Sequence, residues 1–307
     1  AAFILAEYTG TAYREVVYAA LIPAMLYYVG VFAQVHLRAV RYDLKPYEGN
    51  IPKLASTIAN GWPFLVPIAT IIGMLWAGYS PVMTAGAGAV GVIVGTMLTK
   101  RTRMSPWQII EAMAETTLRI LPVAGACAAA GLVIGGLSMT GLGMKAANVI
   151  ITLSGGELAA TLVLAAIVTI VLGLGMPTPS AYILAAVLVG PALVKVGLPV
   201  LESHMFLLYY AILSALTPPI AVAALAAAAI AEEDPFIIAF DAVRLAAVGF
   251  FMPFIFLWNP AILGSGNSVQ ILMVCLGGIV GAVAIAISFE WLHRGVIRWP
   301  LRFLLFL

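Results

Sequence analysis

Two clusters of helix breakers sit inside strongly apolar sequence: Gly173-Leu-Gly-Met-Pro-Thr-Pro-Ser180 and Ser214-Ala-Leu-Thr-Pro-Pro219. Apolar arms flank both, residues 158–172 and 181–193 around the first, residues 206–213 and 220–230 around the second. Each arm is shorter than the ~20 residues a helix needs to cross a bilayer. In hydrocarbon every backbone N–H and C=O must find an internal partner. Unwound chain at that depth therefore survives only where it is buried in protein or lines a cavity. Two such breaks in neighbouring segments point to a site built from half-helix ends. The plainer alternative is a pair of loops between ordinary spanning helices.

Hydropathy supports membrane depth along the whole chain. Of its 307 residues, 63% are hydrophobic and 9% charged, with mean hydropathy +1.10, against roughly 25% charged residues in a soluble domain. An all-α polytopic membrane protein follows. The net charge of +2 comes from basic residues in short loops and implies no nucleic acid. Cys127 and Cys275 lie in apolar helices with neither metal-ligand spacing nor a disulfide framework. The chain begins at Ala1 inside an apolar helix, without Met or a signal-peptide charge pattern, so an upstream part is expected.

In order, residues 1–6 are the tail of a helix and residues 15–35 the first full span, ending in a loop with Arg38, Arg41, Lys45 and Lys53. Residues 62–78 and 81–99 make a tight helical hairpin, with Gly86, Gly88, Gly91 and Gly95 allowing close packing. Lys100, Arg101 and Arg103 follow. Residues 106–117 form an amphipathic arm expected at the interface, residues 118–137 a span, and 142–153 a segment too short to cross. Residues 236–258 and 268–289 are further spans, and the tail with Arg294, Arg298 and Arg302 is expected along the surface. The expected divisions are 1–35, 36–117, 118–263 (holding a re-entrant hairpin at 158–194 and a broken helix at 203–231) and 264–307. With this count all three basic clusters fall on one side, as the positive-inside rule requires. Charge cannot separate a re-entrant 158–194 hairpin from two full spans; the Gly/Pro cluster at membrane depth favours the hairpin.

A faint internal repeat pairs Ala6-Glu-Tyr-Thr-Gly10 and Ile22-Pro-Ala-Met-Leu-Tyr-Tyr28 with Ala231-Glu-Glu-Asp-Pro235 and Met252-Pro-Phe-Ile-Phe-Leu-Trp258. The two helices run oppositely in this topology, as an inverted repeat demands.

At these residues the sequence resembles a known family. Gly173-Leu-Gly-Met-Pro-Thr178 followed by Ala181-Tyr-Ile-Leu184 is similar to the large permease component of tripartite ATP-independent periplasmic (TRAP) transporters, nearest to the fused type associated with TAXI binding proteins. Leu213-Ser-Ala-Leu-Thr-Pro-Pro219, Ala231-Glu-Glu-Asp-Pro235, Trp258-Asn-Pro-Ala261 and Ala2-Phe-Ile-Leu-Ala-Glu7 reinforce it, over residues 1 to about 263. The resemblance implies an inverted-repeat, elevator-type secondary transporter in a bacterial or archaeal cytoplasmic (inner) membrane. A cation gradient, Na⁺ or alternatively H⁺, drives it with no other cofactor, and an extracytoplasmic substrate-binding protein delivers a small organic acid. The first hairpin of such a permease is not in these residues, so a partner carrying the missing N-terminal half is expected, without which the chain should not transport.

The resemblance places a cation site between the hairpin tip and the next helix's break, at Gly173, Gly175, Met176 and Thr178 facing Ser214, Thr217 and Pro218. Freed carbonyls and hydroxyls are hard oxygen donors suited to a small cation. The half-helix opening at Thr178, Pro179 and Ser180 is the expected substrate site, because a helix N-terminus receives a carboxylate. Many relatives have an acidic residue where this chain has Ala215, which removes a charge from the site.

Other polar residues have two readings each. His204, near Glu202, is interfacial or proton-linked. Asp241 and Arg244, at i, i+3 in an apolar helix, pair with each other or serve transport. Arg119 snorkels, while Tyr27, Tyr28, Tyr209 and Tyr210 are packing or belt aromatics. The chain has no HExxH, paired carboxylates or Gly-x-Ser-x-Gly, which excludes the usual enzyme signatures. A non-transporting membrane scaffold is the remaining rival.

Overall fold

The computed structural model describes residues 1–45, 49 and 51–290, and these residues are helical with no strand among them. The chain divides into two compact units, residues 45–125 and the rest. The expected surface tail with Arg294, Arg298 and Arg302 lies outside the described residues. Five helices are long and apolar enough to cross a membrane, as expected of an all-α polytopic protein.

In the smaller unit, α3 (Leu54–Gly61) runs through a 3₁₀ turn at Trp62–Phe64 into α4 (Leu65–Trp76). The helix α5 (Pro81–Met97) returns, opened by Pro81 and by the Ser80 hydroxyl, which accepts the Met83 amide. The two helices touch backbone to backbone. A Cβ on Gly91 would fall 3.2 Å from Pro67 Cα, and one on Gly95 2.7 Å from the Pro63 carbonyl oxygen. Gly88 packs against Ile71, whereas Gly86 faces open space, so three of the four expected small positions form the seam.

One helix, α6 (Pro106–Thr140), replaces the expected interfacial arm and separate span. The change of polarity near residue 118 does not end it, because no Gly or Pro falls there. Pro122, one turn further, is accommodated. Arg119 pairs with Glu115 at 2.6 Å on the exposed surface instead of only snorkelling.

The larger unit begins with α1 (Ala2–Thr9) and α2 (Tyr13–Arg41), which keeps Pro23 inside it. After α6 come α7 (Leu142–Leu153), α8 (Leu158–Gly173), α9 (Thr178–Leu188), α10 (Gly190–Lys195), α11 (Val200–Leu213) and α12 (Val222–Ala231). The hairpin α8–α9 packs on α11. Leu162, Ala165, Ala181, Tyr182, Ala185, Phe206 and Leu207 are sealed from solvent at that junction. The alanines let the helices approach, and the larger side chains fill the volume left between them.

The expected span at 236–258 is two helices, α13 (Pro235–Leu245) and α14 (Ala247–Trp258), separated at Ala246. Gln34 explains the break. Fully buried, it donates from Nε2 to the Leu245 carbonyl at 3.2 Å, replacing an intrahelical bond. Pairings of α2 with α13–α14 run in opposite order: Arg38 with Asp241, Gln34 with Leu245, Gly30 with Val248, Tyr27 with Gly249. These helices are therefore antiparallel. The last described helix, α15 (Ser268–Glu290), runs parallel to α2, joining Leu26 to Gly278 and Arg38 to Glu290.

Candidate functional site

Both breaker clusters interrupt helices where the sequence placed them. In the first, α8 ends at Gly173 and α9 starts at Thr178. Gly175 turns the chain at φ +75°, a conformation that favours glycine. The Met176 amide donates to the Gly173 carbonyl. Among the described residues no backbone donor reaches the carbonyls of Leu174, Gly175 or Met176, and the Thr178 and Ser180 amides donate to no backbone acceptor. Pro177 precedes α9 without a side-chain cap. The tip thus presents free acceptors on one side of Pro177 and free donors on the other.

The second break runs from Ser214 to Ala221, between α11 and α12. The Pro218–Pro219 peptide is cis, and buried Ala221 adopts φ +41°, strained for a residue with a Cβ. The Ala223 amide bonds back across the break to the Ala215 carbonyl at 3.0 Å. Both hydroxyls donate locally: Ser214 Oγ to the Ala211 carbonyl and Thr217 Oγ1 to the Leu213 carbonyl, each at 2.8 Å. Their lone pairs are left as acceptors. The carbonyls of Leu216, Pro218, Pro219 and Ile220 accept no backbone bond among the described residues.

The two breaks meet. A Cβ on Gly173 would fall 2.7 Å from Ser214 Cβ and 3.3 Å from Ala181 Cβ, and one on Gly175 would lie 3.2 Å from Ile220 Cδ1. Of the expected cation residues, Gly173 and Ser214 are in direct contact. Gly175 faces the far end of the break, and Met176 packs partly against the core. Thr178 and Thr217 are half-buried and share no hydrogen bond. Of the expected substrate residues, Thr178 and Pro179 are half-buried, while Ser180 is buried with its hydroxyl donating to Cys127 Sγ at 3.8 Å. The Ser180 side chain is thus turned inward, while its amide has no backbone acceptor among the described residues. Among the described residues no three His, Cys, Asp or Glu side chains gather to hold a metal.

A comparison with protein families matches residues 1–271 to the tripartite ATP-independent periplasmic transporter, DctM component. The chain belongs to this DctM family. It is thus a multi-pass permease component of a TRAP transporter, and the family is one of transport, not of enzymes. DctM proteins work with a substrate-binding protein and a small membrane subunit. Searches of curated proteins and of solved structures return no match.

Elsewhere in this DctM chain, His204 is buried, and its Nδ1 meets the Tyr182 hydroxyl at 2.8 Å, joining α11 to α9. Tyr182 is fully buried. Tyr182→Phe should lower unfolding stability by about 1–3 kcal/mol, because a buried ring nitrogen then loses its partner; thermal unfolding of the purified variant checks this, and no change would mean water replaces the hydroxyl.

Asp241 and Arg244 do pair, but weakly, at 3.8 Å. The main partner of Asp241 is Arg38, at 3.2 Å. Sequence reading missed Gln34, Arg38 in this role and Glu290. The one available signal was polarity inside apolar helices, visible in Gln34 and in Glu290 at the end of its span.

Proposed function

We propose that this DctM chain is the permease of a secondary transporter that couples Na⁺ entry to uptake of small organic acids across a bacterial or archaeal inner membrane. A binding protein of the TAXI type delivers the substrate, and the α8–α9 hairpin moves with α11–α12 as the body of an elevator. The observation that carries this reading is the seating of the hairpin tip on the helix break, Gly173 against Ser214. Unpaired carbonyls flank that contact on both the tip and the break, and the Ser214 hydroxyl, with its lone pairs free, lies in it; oxygens of this kind are the donor chemistry of a hard monovalent cation. The adjoining α9 N-terminus offers two unpaired amides and the positive end of a helix dipole to a carboxylate. The first arm, 16 residues or about 24 Å long, falls short of the ~30 Å hydrocarbon layer, and the second is interrupted at Val189 between α9 and α10, which supports a re-entrant hairpin.

Cation-specific stabilisation tests the reading without knowledge of the substrate, since a ligand that binds only the folded state raises its stability. Thermal unfolding in NaCl should exceed that in choline chloride at equal ionic strength. Thr217→Ala and Thr178→Val should each raise the Na⁺ concentration for half the effect by about 10- to 100-fold, the worth of one ligand contact of roughly 1.5–3 kcal/mol. Equal stability in the two salts, or unchanged midpoints in both variants, would remove the site and leave the scaffold reading.

A further inference from the structure

Between α14 and α15, in the larger unit, lies an open groove of about 400 Å³. Leu26, Val248, Met252, Met273 and Ile285 line it, and Gly277 and Gly281 form part of its floor. A Cβ on either glycine would meet nothing within 4 Å, so bare helix surface is open to an occupant. From Met273 to Ile285 the groove follows α15 for about 18 Å, close to the ~15 Å depth of one leaflet's hydrocarbon.

Just past the Ile285 end lies an alternating chain of charges. Arg41 meets Glu290 at 3.6 Å, Glu290 meets Arg38 at 3.0 Å, Arg38 meets Asp241 at 3.2 Å, and Asp241 meets Arg244 at 3.8 Å. Three guanidiniums thus face two carboxylates, and an arginine stands at each end. Arg244 is 63% exposed and, among the described residues, has only the long contact to Asp241. Arg244 precedes the groove residue Val248 by four positions, and Arg38, which joins Asp241 to Glu290, ties α13 to the same end of α15. The positive-inside rule puts this arginine-rich end at the cytoplasmic leaflet, where anionic lipids are concentrated.

We propose that the α14–α15 groove is a binding site for one anionic glycerophospholipid, its acyl chain lying along Gly277 and Gly281 and its phosphate held at the arginine end by Arg244. Among the described residues this cluster holds one more arginine than carboxylates, which favours a lipid of net negative charge over a zwitterionic one, whose own cationic group offsets its phosphate. The site does not depend on the cation site proposed above.

The test is native mass spectrometry of the delipidated chain, titrated in mixed micelles with phosphatidylglycerol or phosphatidylcholine. Phosphatidylglycerol should be retained at one per chain and about fivefold more tightly than phosphatidylcholine, the effect of one arginine near a phosphate. Arg244→Gln should erase most of that preference without touching the packing. Gly281→Leu, which fills the groove, should reduce retention of both lipids. Equal retention of the two lipids by the parent chain would mark ordinary annular lipid and overturn the proposal, as would a preference unchanged in both variants. A dimer that Gly281→Leu dissociates would place a second copy in the groove and overturn it equally.

Discussion

Arg38→Ala should lower the unfolding stability of the chain by roughly 3–5 kcal/mol, the range for breaking a buried ion pair from one side. Glu290 is 1% exposed and takes two bonds from Arg38, from Nε at 3.1 Å and from Nη2 at 3.0 Å. Without them its nearest cation among the described residues is Arg41, at 3.6 Å. The carboxylate would then be both desolvated and poorly paired, and Asp241 would lose its closest partner. Arg38→Lys should recover only part of the loss, because an ammonium cannot face two carboxylates with a planar fork. The double variant Arg38→Ala/Glu290→Gln should recover most of it, because the orphaned charge is gone. Thermal unfolding of the three variants decides this; a single Arg38→Ala within about 1 kcal/mol of the parent would show that water already solvates Glu290.

Gly173→Ala should disable the transport site while leaving most of the fold in place. The added methyl would sit 2.7 Å from Ser214 Cβ and 3.3 Å from Ala181 Cβ, so the tip must lift from the break. Overpacking of this kind costs up to about 3 kcal/mol, or ~100-fold in an affinity that needs both halves together. The Na⁺-specific stabilisation should weaken by that factor. Ser214→Gly should restore much of it in the double variant, since it removes the atom that the new methyl strikes. A Gly173→Ala variant with unaltered Na⁺ response would mean that tip and break do not close around the ion.

The two breaks were legible because Gly and Pro act locally: a proline lacks the amide a helix needs, whatever surrounds it. The interruption at Ala246 was not, since Leu245-Ala-Ala247 contains no breaker and its cause, Gln34, lies 211 residues away. Glu290 and Arg38 are likewise 252 residues apart, so the charge chain could be read only as isolated polar residues at helix ends. The boundary drawn near residue 118 failed for the opposite reason. A change from amphipathic to apolar sequence alters which face is solvated, not whether the backbone stays helical. Within the candidate site, the sequence named the residues of both breaks. It could not show that Ser214 and Thr217 spend their hydrogens on their own helix, or that Ser180 turns inward.

That last arrangement bears on what can drive the transporter. Residues 173–180 and 214–221 contain no side chain that takes up a proton near neutral pH. The oxygen acceptors of these two segments are carbonyls and hydroxyls, whose lone pairs attract a cation but are far too weakly basic to hold H⁺. A proton arriving there has nowhere to stay, whereas a metal ion can exchange its hydration shell for the same oxygens. On the proposed function, a junction of carbonyls and hydroxyls selects aquated cations over protons, and its occupancy follows the salt gradient and not pH.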